Sequence, residues 1–192
     1  NWRVHVTGNL NVDNFKAIEI ITKRKLFKLL DLDTKKSTIL LTYHPVTLEY
    51  KIDIDSQIHN LFLALKNFNY QVVITSPNVE NDRAKLIDFI KEKVRENNDY
   101  YYFDSLGIFN YINMLYYCEF MIGNSSSGIG ETPFFRIPTI NIGDRQKGRV
   151  RHKSVIDTDY GVDSIVNGIK KAQSKEFKSS INMMKYSCSY FW

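Results

Sequence analysis

The stretch Thr38-Ile39-Leu40-Leu41-Thr42 opens a series of short apolar runs that decides the fold of this chain. Such runs contain few polar residues, as expected of strands that are buried on both faces of a sheet. Four more follow along the chain, at Gln71 to Thr75, Tyr100 to Phe103, Phe120 to Ile122 and Thr139 to Ile142. We therefore predict five parallel strands.

Segments of helical period separate these runs. Asp55 to Asn67 and Asp82 to Glu96 both show the apolar stripe of an amphipathic helix. Shorter helices are predicted at Ile108 to Tyr117, Gly128 to Phe135 and Val162 to Ala172. Strands that alternate with helices are typical of βαβ units, so the predicted fold class is α/β, with a Rossmann-like parallel sheet sandwiched by helices.

Three regions are predicted along the chain. Residues 37–175 form the Rossmann-like domain, and residues 1–36 are interpreted as a connector, with a strand at Val4 to Thr7 and a helix at Ala17 to Leu30. Residues 176–192 are an atypical tail that ends abruptly in aromatic residues, which suggests truncation. Since the chain also starts without Met, we expect it to be a piece of a longer protein, joined to a preceding domain through the connector.

Composition narrows the functional class. The net charge of +5 comes from basic residues that are interleaved with acids, except in Arg145 to Lys153, so we expect a solvated surface and no nucleic-acid partner.

Cys118 and Cys188 lie far apart without a CxxC pair, which indicates free thiols and no metal site. No leader opens the chain and no apolar run approaches the roughly 18 residues of a membrane span, so we expect a cytoplasmic protein without a membrane partner.

Polar clusters follow every predicted strand, where doubly wound sheets bind their ligands. The cluster after the fourth strand is Gly123-Asn-Ser-Ser-Ser-Gly128, which leads straight into a helix. Small side chains, backbone N–H groups and a positive helix end together predict a phosphate site at Ser125, Ser126 and Ser127. Glu131, about one turn further on, could accept hydrogen bonds from vicinal hydroxyls. A serine N-cap with a first-turn acid explains the same residues equally well.

Three other features complete the predicted site. His44 follows the first strand, and Pro45 behind it makes the loop rigid, which favours a catalytic role over a packing role. The run from Asp144 to Arg149 contains three cations and could neutralise a diphosphate or be a solvated loop. Tyr111 could stack on a base, although an aromatic residue at the start of a helix is more often part of the core.

The motifs Gly123-Asn-Ser-Ser-Ser-Gly-Ile-Gly-Glu131 and Pro138-Thr-Ile-Asn-Ile-Gly-Asp-Arg-Gln-Lys-Gly-Arg149 closely resemble those of the hydrolysing UDP-N-acetylglucosamine 2-epimerases. The resemblance extends to Thr42-Tyr-His-Pro-Val-Thr47, to Ser76-Pro-Asn78 and to Val6 to Asp13, and covers nearly the whole chain up to Ala172. It implies the C-terminal half of a GT-B-type two-domain fold that binds the nucleotide sugar between its domains, without a cofactor.

The resemblance also implies roles for individual residues. Ser125, Ser126 and Ser127 would hold the diphosphate, and Glu131 would hold the ribose hydroxyls. Tyr111 and the backbone at Leu106 would lie near the uracil. His44 matches the essential histidine of the family, and Arg145 and Arg149 would border the same pocket.

The implied reaction eliminates UDP from UDP-N-acetylglucosamine and adds water, which gives N-acetylmannosamine for sialic-acid-type biosynthesis. Its acid/base carboxylates belong to the first domain, so we expect this chain alone to be inactive. A homodimer is expected of the full-length form. The tail departs from the family, because an Asn-Pro-Tyr-Gly-type motif is missing between Ser179 and Trp192.

Two alternatives remain open. A GT-B glycosyltransferase donor domain would also use a serine/glycine loop and a ribose-binding glutamate, although the Asp144 to Arg149 run and the His44-Pro45 loop argue against it. A non-catalytic nucleotide-sugar-binding domain would retain the same pocket.

Overall fold

A computed structural model of the chain describes residues 2, 5, 15, 17–46, 53–79 and 82–182. Six strands form one sheet: β1 Thr38–Thr42, β2 Gln71–Thr75, β3 Tyr100–Phe103, β4 Met121–Gly123, β5 Thr139–Ile142 and β6 Val155–Thr158. Seven α-helices are described: α1 Lys23–Leu29, α2 Ile54–Leu65, α3 Arg83–Glu96, α4 Gly107–Tyr117, α5 Ser127–Gly130, α6 Val162–Gln173 and α7 Lys175–Asn182. A 3₁₀ turn at Thr132–Phe135 follows α5.

All strand pairs are parallel, and the sheet order is β3-β2-β1-β4-β5-β6. The chain builds outward from β1 to β3, then crosses back and builds outward from β4 to β6 on the other side. The order therefore reverses between β1 and β4. Ligands bind outside the carboxyl ends of the strands at such a switch point, and the loops after β1 and β4 meet there.

Apolar side chains cover both faces of the sheet, and neighbouring residues of one strand serve opposite faces. In β1, Ile39 and Leu41 belong to the cluster under α2, α3 and α6, whereas Leu40 belongs to the cluster under α1 and α4. Val73 of β2 likewise faces the second cluster. This double burial explains why the strands appear in the sequence as continuous apolar runs and confirms the predicted α/β sandwich.

Gly123 allows β4 to approach β1 at the switch point. Its φ of +136° lies in a region that side chains disfavour, and a Cβ there would lie 2.0 Å from the carbonyl oxygen of Thr42. Thr42 and Gly123 are directly paired in the β1–β4 register. A glycine is thus required where the two central strands end.

The structure corrects four secondary-structure predictions, and one of them is α7, an unpredicted helix that overlaps the predicted tail. β6 was not predicted, because this edge strand buries only Ile156 fully and has no continuous apolar run. The helix predicted at 17–30 is interrupted, because Ala17 is helical but residues 18–22 are not, and α1 begins at Lys23, where Thr22 caps it. The helix predicted at 128–135 is a single α-turn followed by the 3₁₀ turn, which contains Pro133 at its start.

The segment before α1 packs against α4 through specific polar contacts. The buried Asn113 side chain accepts from the Ile21 N–H at 2.9 Å and donates to the Glu19 carbonyl at 3.1 Å. The Tyr117 hydroxyl donates to the Ile21 carbonyl at 2.6 Å. These contacts attach residues 19–21 to α4, and these residues are not helical. Of the predicted strand at 4–7, only His5 is described, without a strand assignment, and residues 183–192 of the predicted tail lie outside the described residues.

Cys118 is buried, and its thiol is free. Burial raises the pKa of its thiol to about 12, so the thiol stays protonated at neutral pH. Cys188 lies outside the described residues.

Candidate functional site

A cleft of about 420 Å³ opens at the carboxyl edge of the sheet, above the switch point. Loops from four strands contribute to it: those after β1, β2, β3 and β4. Its lining consists of Thr42, His44, Thr75, Ser76, Asn78, Asp104, Ser105, Leu106, Gly107, Ile108, Tyr111, Ser125, Ser126, Ser127 and Glu131. The polar clusters noted in the sequence therefore meet in one place.

Seven of the nine predicted site residues line this cleft: His44, Leu106, Tyr111, Ser125, Ser126, Ser127 and Glu131. The other two are absent from the lining. Arg145 is half-buried and donates through Nη1 to the Asn124 carbonyl at 3.3 Å, and Arg149 is exposed. The cleft also contains residues that the sequence-based list omitted, among them Asn78 and Asp104.

His44 is only 4% exposed and is held from two sides. Its backbone N–H donates to Oδ1 of Asn124 at 2.7 Å, and its carbonyl accepts from Nδ2 of Asn124 at 2.9 Å. Its ring nitrogen Nδ1 accepts from the backbone N–H of Asn78 at 3.0 Å. Backbone and ring of this histidine are therefore both fixed by hydrogen bonds from other loops.

Asn124 connects three loops, although sequence reasoning gave it no role. Its side chain is fully buried and engages His44, while its backbone N–H donates to the Thr42 carbonyl at 3.2 Å. Its own carbonyl accepts from Nε2 of Gln146 at 2.8 Å, as well as from Arg145. The loop after β5 thus holds the loop after β4 in place, and through it the loop after β1. Of the two predicted arginines, Arg145 contacts the site indirectly, through the Asn124 carbonyl.

The loop after β2 is braced by the start of α3. Arg83 donates through Nη2 to the Ser76 hydroxyl at 2.9 Å and through Nε to the Pro77 carbonyl at 3.1 Å. These bonds fix Ser76 and Pro77, the two residues that precede Asn78. The backbone N–H of Asn78, which donates to His44, therefore lies in a loop that is held in place.

Tyr111, Ser127 and Glu131 form a chain of short hydrogen bonds along one wall. The Ser127 hydroxyl donates to Oε2 of Glu131 at 2.5 Å. Because a hydroxyl has one proton, the Tyr111 hydroxyl must donate to Ser127 in turn. Burial, with the Glu131 carboxylate as the second cause, raises the pKa of Tyr111 and keeps this hydroxyl a donor.

The serine loop leads into α5, which has only four residues. The helix-end contribution to anion binding is therefore that of a single turn, smaller than the predicted helix 128–135 would supply. What remains is a set of hydroxyls and backbone groups: Ser125 Oγ, for example, accepts from the Ser127 N–H at 3.3 Å. Gly128 keeps α5 close to the sheet, since a Cβ there would lie 2.6 Å from the Thr139 methyl group.

The lining contains two acids. Asp104 is exposed and accepts from the Tyr102 hydroxyl at 2.8 Å, while Glu131 accepts from the Ser127 hydroxyl.

Within the described ranges, no group of three or more His, Cys, Asp or Glu side chains could hold a metal ion. No helix there has the length and apolar character to cross a bilayer.

Residues 1–191 match the family model described as UDP-N-acetylglucosamine 2-epimerase. The chain is 35% identical over 180 residues to a GDP/UDP-N,N'-diacetylbacillosamine 2-epimerase (hydrolyzing) from Campylobacter jejuni, covering 93% of this chain and 46% of that protein. It is 33% identical over 179 residues to a polysialic acid biosynthesis protein from Escherichia coli, covering 91% and 44%. The chain thus spans about half the length of the curated relatives that it matches.

Solved structures share the fold. The UDP-N-acetylglucosamine 2-epimerase of Methanocaldococcus jannaschii, solved with UDP-GlcNAc and UDP, superimposes with a TM-score of 0.68 at 16% identity. The match covers 90% of this chain and 49% of that one. The likeness confirms the Rossmann-like fold.

Proposed function

Because the chain belongs to the UDP-N-acetylglucosamine 2-epimerase family, we propose that it is the UDP-binding, C-terminal domain of a hydrolysing UDP-N-acetylglucosamine 2-epimerase. The observation that carries the proposal is the cleft at the switch point, which collects a buried histidine, a serine loop and a carboxylate from separate loops. A cleft with these groups has what a nucleoside diphosphate requires: hydroxyl and N–H donors for phosphate and a carboxylate for ribose.

The nucleotide lies along the wall formed by α4 and α5. The Glu131 carboxylate accepts the ribose hydroxyls, with its orientation set by Ser127. The uracil lies near Tyr111 and the backbone at Leu106, which borders the same wall. The diphosphate lies over the serine loop, within reach of His44.

The reaction proceeds by elimination followed by hydration. The C2 proton and the UDP anion leave the sugar, which forms a C1–C2 double bond, and water then adds across that bond to give N-acetylmannosamine. The donors of this chain stabilise the charge on the departing diphosphate. The carboxylates that move the protons belong to a first domain, because the two acids of this cleft are used for ribose binding and for Tyr102.

The names of the relatives support a second candidate for the sugar of the substrate. The Campylobacter jejuni relative is named for diacetylbacillosamine, whereas the Escherichia coli relative is named for polysialic acid biosynthesis. The first name states a hydrolysing 2-epimerase, and the second fits a product used in sialic-acid-type biosynthesis. UDP-N-acetylglucosamine in sialic-acid-type biosynthesis is the first candidate substrate, and UDP-diacetylbacillosamine is the second.

Isothermal titration of this chain with UDP tests the nucleotide site. We expect UDP to bind in preference to CMP and GDP, and Glu131→Ala to weaken binding by about tenfold or more, because charge-assisted hydrogen bonds to ribose are lost. The matched control is Glu92→Ala, which removes an exposed acid on α3 that does not line the cleft.

Equal losses in the Glu131 and Glu92 variants, or no selectivity among the nucleotides, would contradict the proposed site. Circular dichroism of each variant confirms that the fold is retained. If UDP binds as expected, this domain can be combined with a first domain to test for release of N-acetylmannosamine.

A further inference from the structure

The hydrogen bond from Asn78 to His44 determines where the imidazole carries its proton. A backbone N–H can only donate, so Nδ1 of His44 must present a lone pair to it across the 3.0 Å contact. In a neutral imidazole one nitrogen accepts and the other carries the hydrogen. The proton is therefore on Nε2, as assigned from this hydrogen-bond network.

Asn124 fixes the backbone from which this ring projects. Its planar amide pairs with both the N–H and the carbonyl of His44, as a neighbouring strand would. Both bonds are buried and join residues 80 positions apart in sequence. The Asn124 backbone is itself hydrogen-bonded to Thr42 and Gln146. The pairing with Asn124 therefore fixes the position of the His44 backbone relative to the sheet.

We propose that Asn124 and the backbone N–H of Asn78 are positioning groups that hold His44 as the neutral Nε2–H tautomer, so that the imidazole acts on the diphosphate as a hydrogen-bond donor. The role toward the diphosphate rests on the proposed function. The tautomer itself rests only on the contacts of His44 and can be measured without a nucleotide.

This assignment divides the work of the reaction. A ring whose Nδ1 is occupied by an amide donor and whose Nε2 carries a hydrogen has no lone pair to offer a substrate proton. His44 is then unsuited to take the C2 proton and suited to stabilise the leaving diphosphate. Proton abstraction must come from another group.

Nitrogen-15 NMR of the full 192-residue chain tests the tautomer. We expect long-range proton–nitrogen correlations to show a pyridine-type Nδ1 and a pyrrole-type Nε2 for His44, assigned by loss of the signals in His44→Gln. We also expect a scalar coupling across the hydrogen bond between the Asn78 amide nitrogen and Nδ1. The exposed His59 provides the internal reference for a ring that exchanges between tautomers.

Matched variants test the two positioning groups. Asn78→Pro removes the N–H, whereas Asn78→Ala keeps it, so we expect tautomer averaging at His44 in the first variant only. Asn124→Ala removes both backbone bonds, and we expect loss of the trans-hydrogen-bond coupling with UDP binding weakened about tenfold.

A protonated Nδ1, or an averaged ring like that of His59 in the unmodified chain, would overturn the inference whether or not the Asn78→Pro variant folds. An Asn124→Ala protein that keeps both the coupling and its UDP affinity would remove Asn124 from the proposal. If UDP fails to bind the unmodified chain while the tautomer is found as expected, the proposed function fails and the assignment for His44 stands.

Discussion

The Tyr111 hydroxyl has a structural partner in Ser127 and reaches Glu131 through it. The tyrosine ring packs at the same time against the cluster under α4. The residue thus combines the core role and the site role that the sequence left open. Its hydroxyl sets the direction in which Ser127 donates, and Ser127 in turn orients the carboxylate.

Tyr111→Phe tests this chain of hydrogen bonds, because it removes the hydroxyl and keeps the ring. We expect the free energy of unfolding to fall by about 1 kcal/mol, and UDP affinity to fall about fivefold as Glu131 loses its fixed orientation. Tyr116→Phe is the control, since Tyr116 lies on the same helix and is exposed. Urea unfolding and titration with UDP provide the measurements, and equal effects in the two variants would refute the role.

Residue types in the strand-end loops were sufficient to find most of the cleft, but not its internal supports. His44, Glu131 and the three serines stand out because their chemistry suits a diphosphate and a ribose. Asn124 does not, since an asparagine between glycine and serine in a loop is ordinary turn chemistry. Its role depends on pairing with a residue 80 positions away, which no local pattern encodes.

The junction of β1 and β4 is the element on which the site depends. Both strands end at the Thr42–Gly123 pair, and the loops that contain His44 and the serines start there. The close approach of the two backbones sets the floor of the cleft. A change in this spacing moves both loops together.

Gly123→Ala should destabilise the protein and abolish UDP binding. The added methyl group meets the Thr42 carbonyl oxygen and also disfavours the φ of +136°, so we expect a loss of about 3 kcal/mol or more in the free energy of unfolding. Gly148→Ala separates the two causes, because its φ is +81° but no atom lies within 4 Å of the added Cβ. That control should lose only about 1 kcal/mol, and similar losses in both urea titrations would exclude the clash.

At the level of elements, burial determines what the sequence could predict. β1, β2 and β5 are predicted with the bounds that the structure gives, and β4 within one residue, because strands buried on both faces leave unbroken apolar runs. β3 is an edge strand in which only Tyr100 is buried, and its unbroken aromatic run Tyr100–Phe103 predicts the same bounds. β6 is the other edge strand, and its one buried residue, Ile156, stands beside the exposed Asp157, so no unbroken apolar run marks it. α7 has a single buried residue, Ile181, so its stripe is too narrow to detect.

Taken as a whole, the described domain has two apolar layers that share one sheet. Leu40 and Leu41 are consecutive in β1, both are fully buried, and they point into different layers. If the sheet couples the layers, loss of packing on either face lowers the stability of the entire domain. The cleft, which depends on loops from the shared strands, is then lost in the same transition.

Leu40→Ala and Leu41→Ala form a matched pair that tests this coupling. Each substitution removes the same atoms from a fully buried position, so each should cost about 2–5 kcal/mol in the free energy of unfolding. We expect far-ultraviolet and near-ultraviolet circular dichroism to give one coincident transition in each variant, shifted to lower denaturant. If the layers were independent, one variant would show a biphasic curve in which the unaffected layer melts at its original midpoint. That outcome would also separate the α1/α4 face, where residues 17–36 pack, from the cooperative unit that contains the β1–β4 junction.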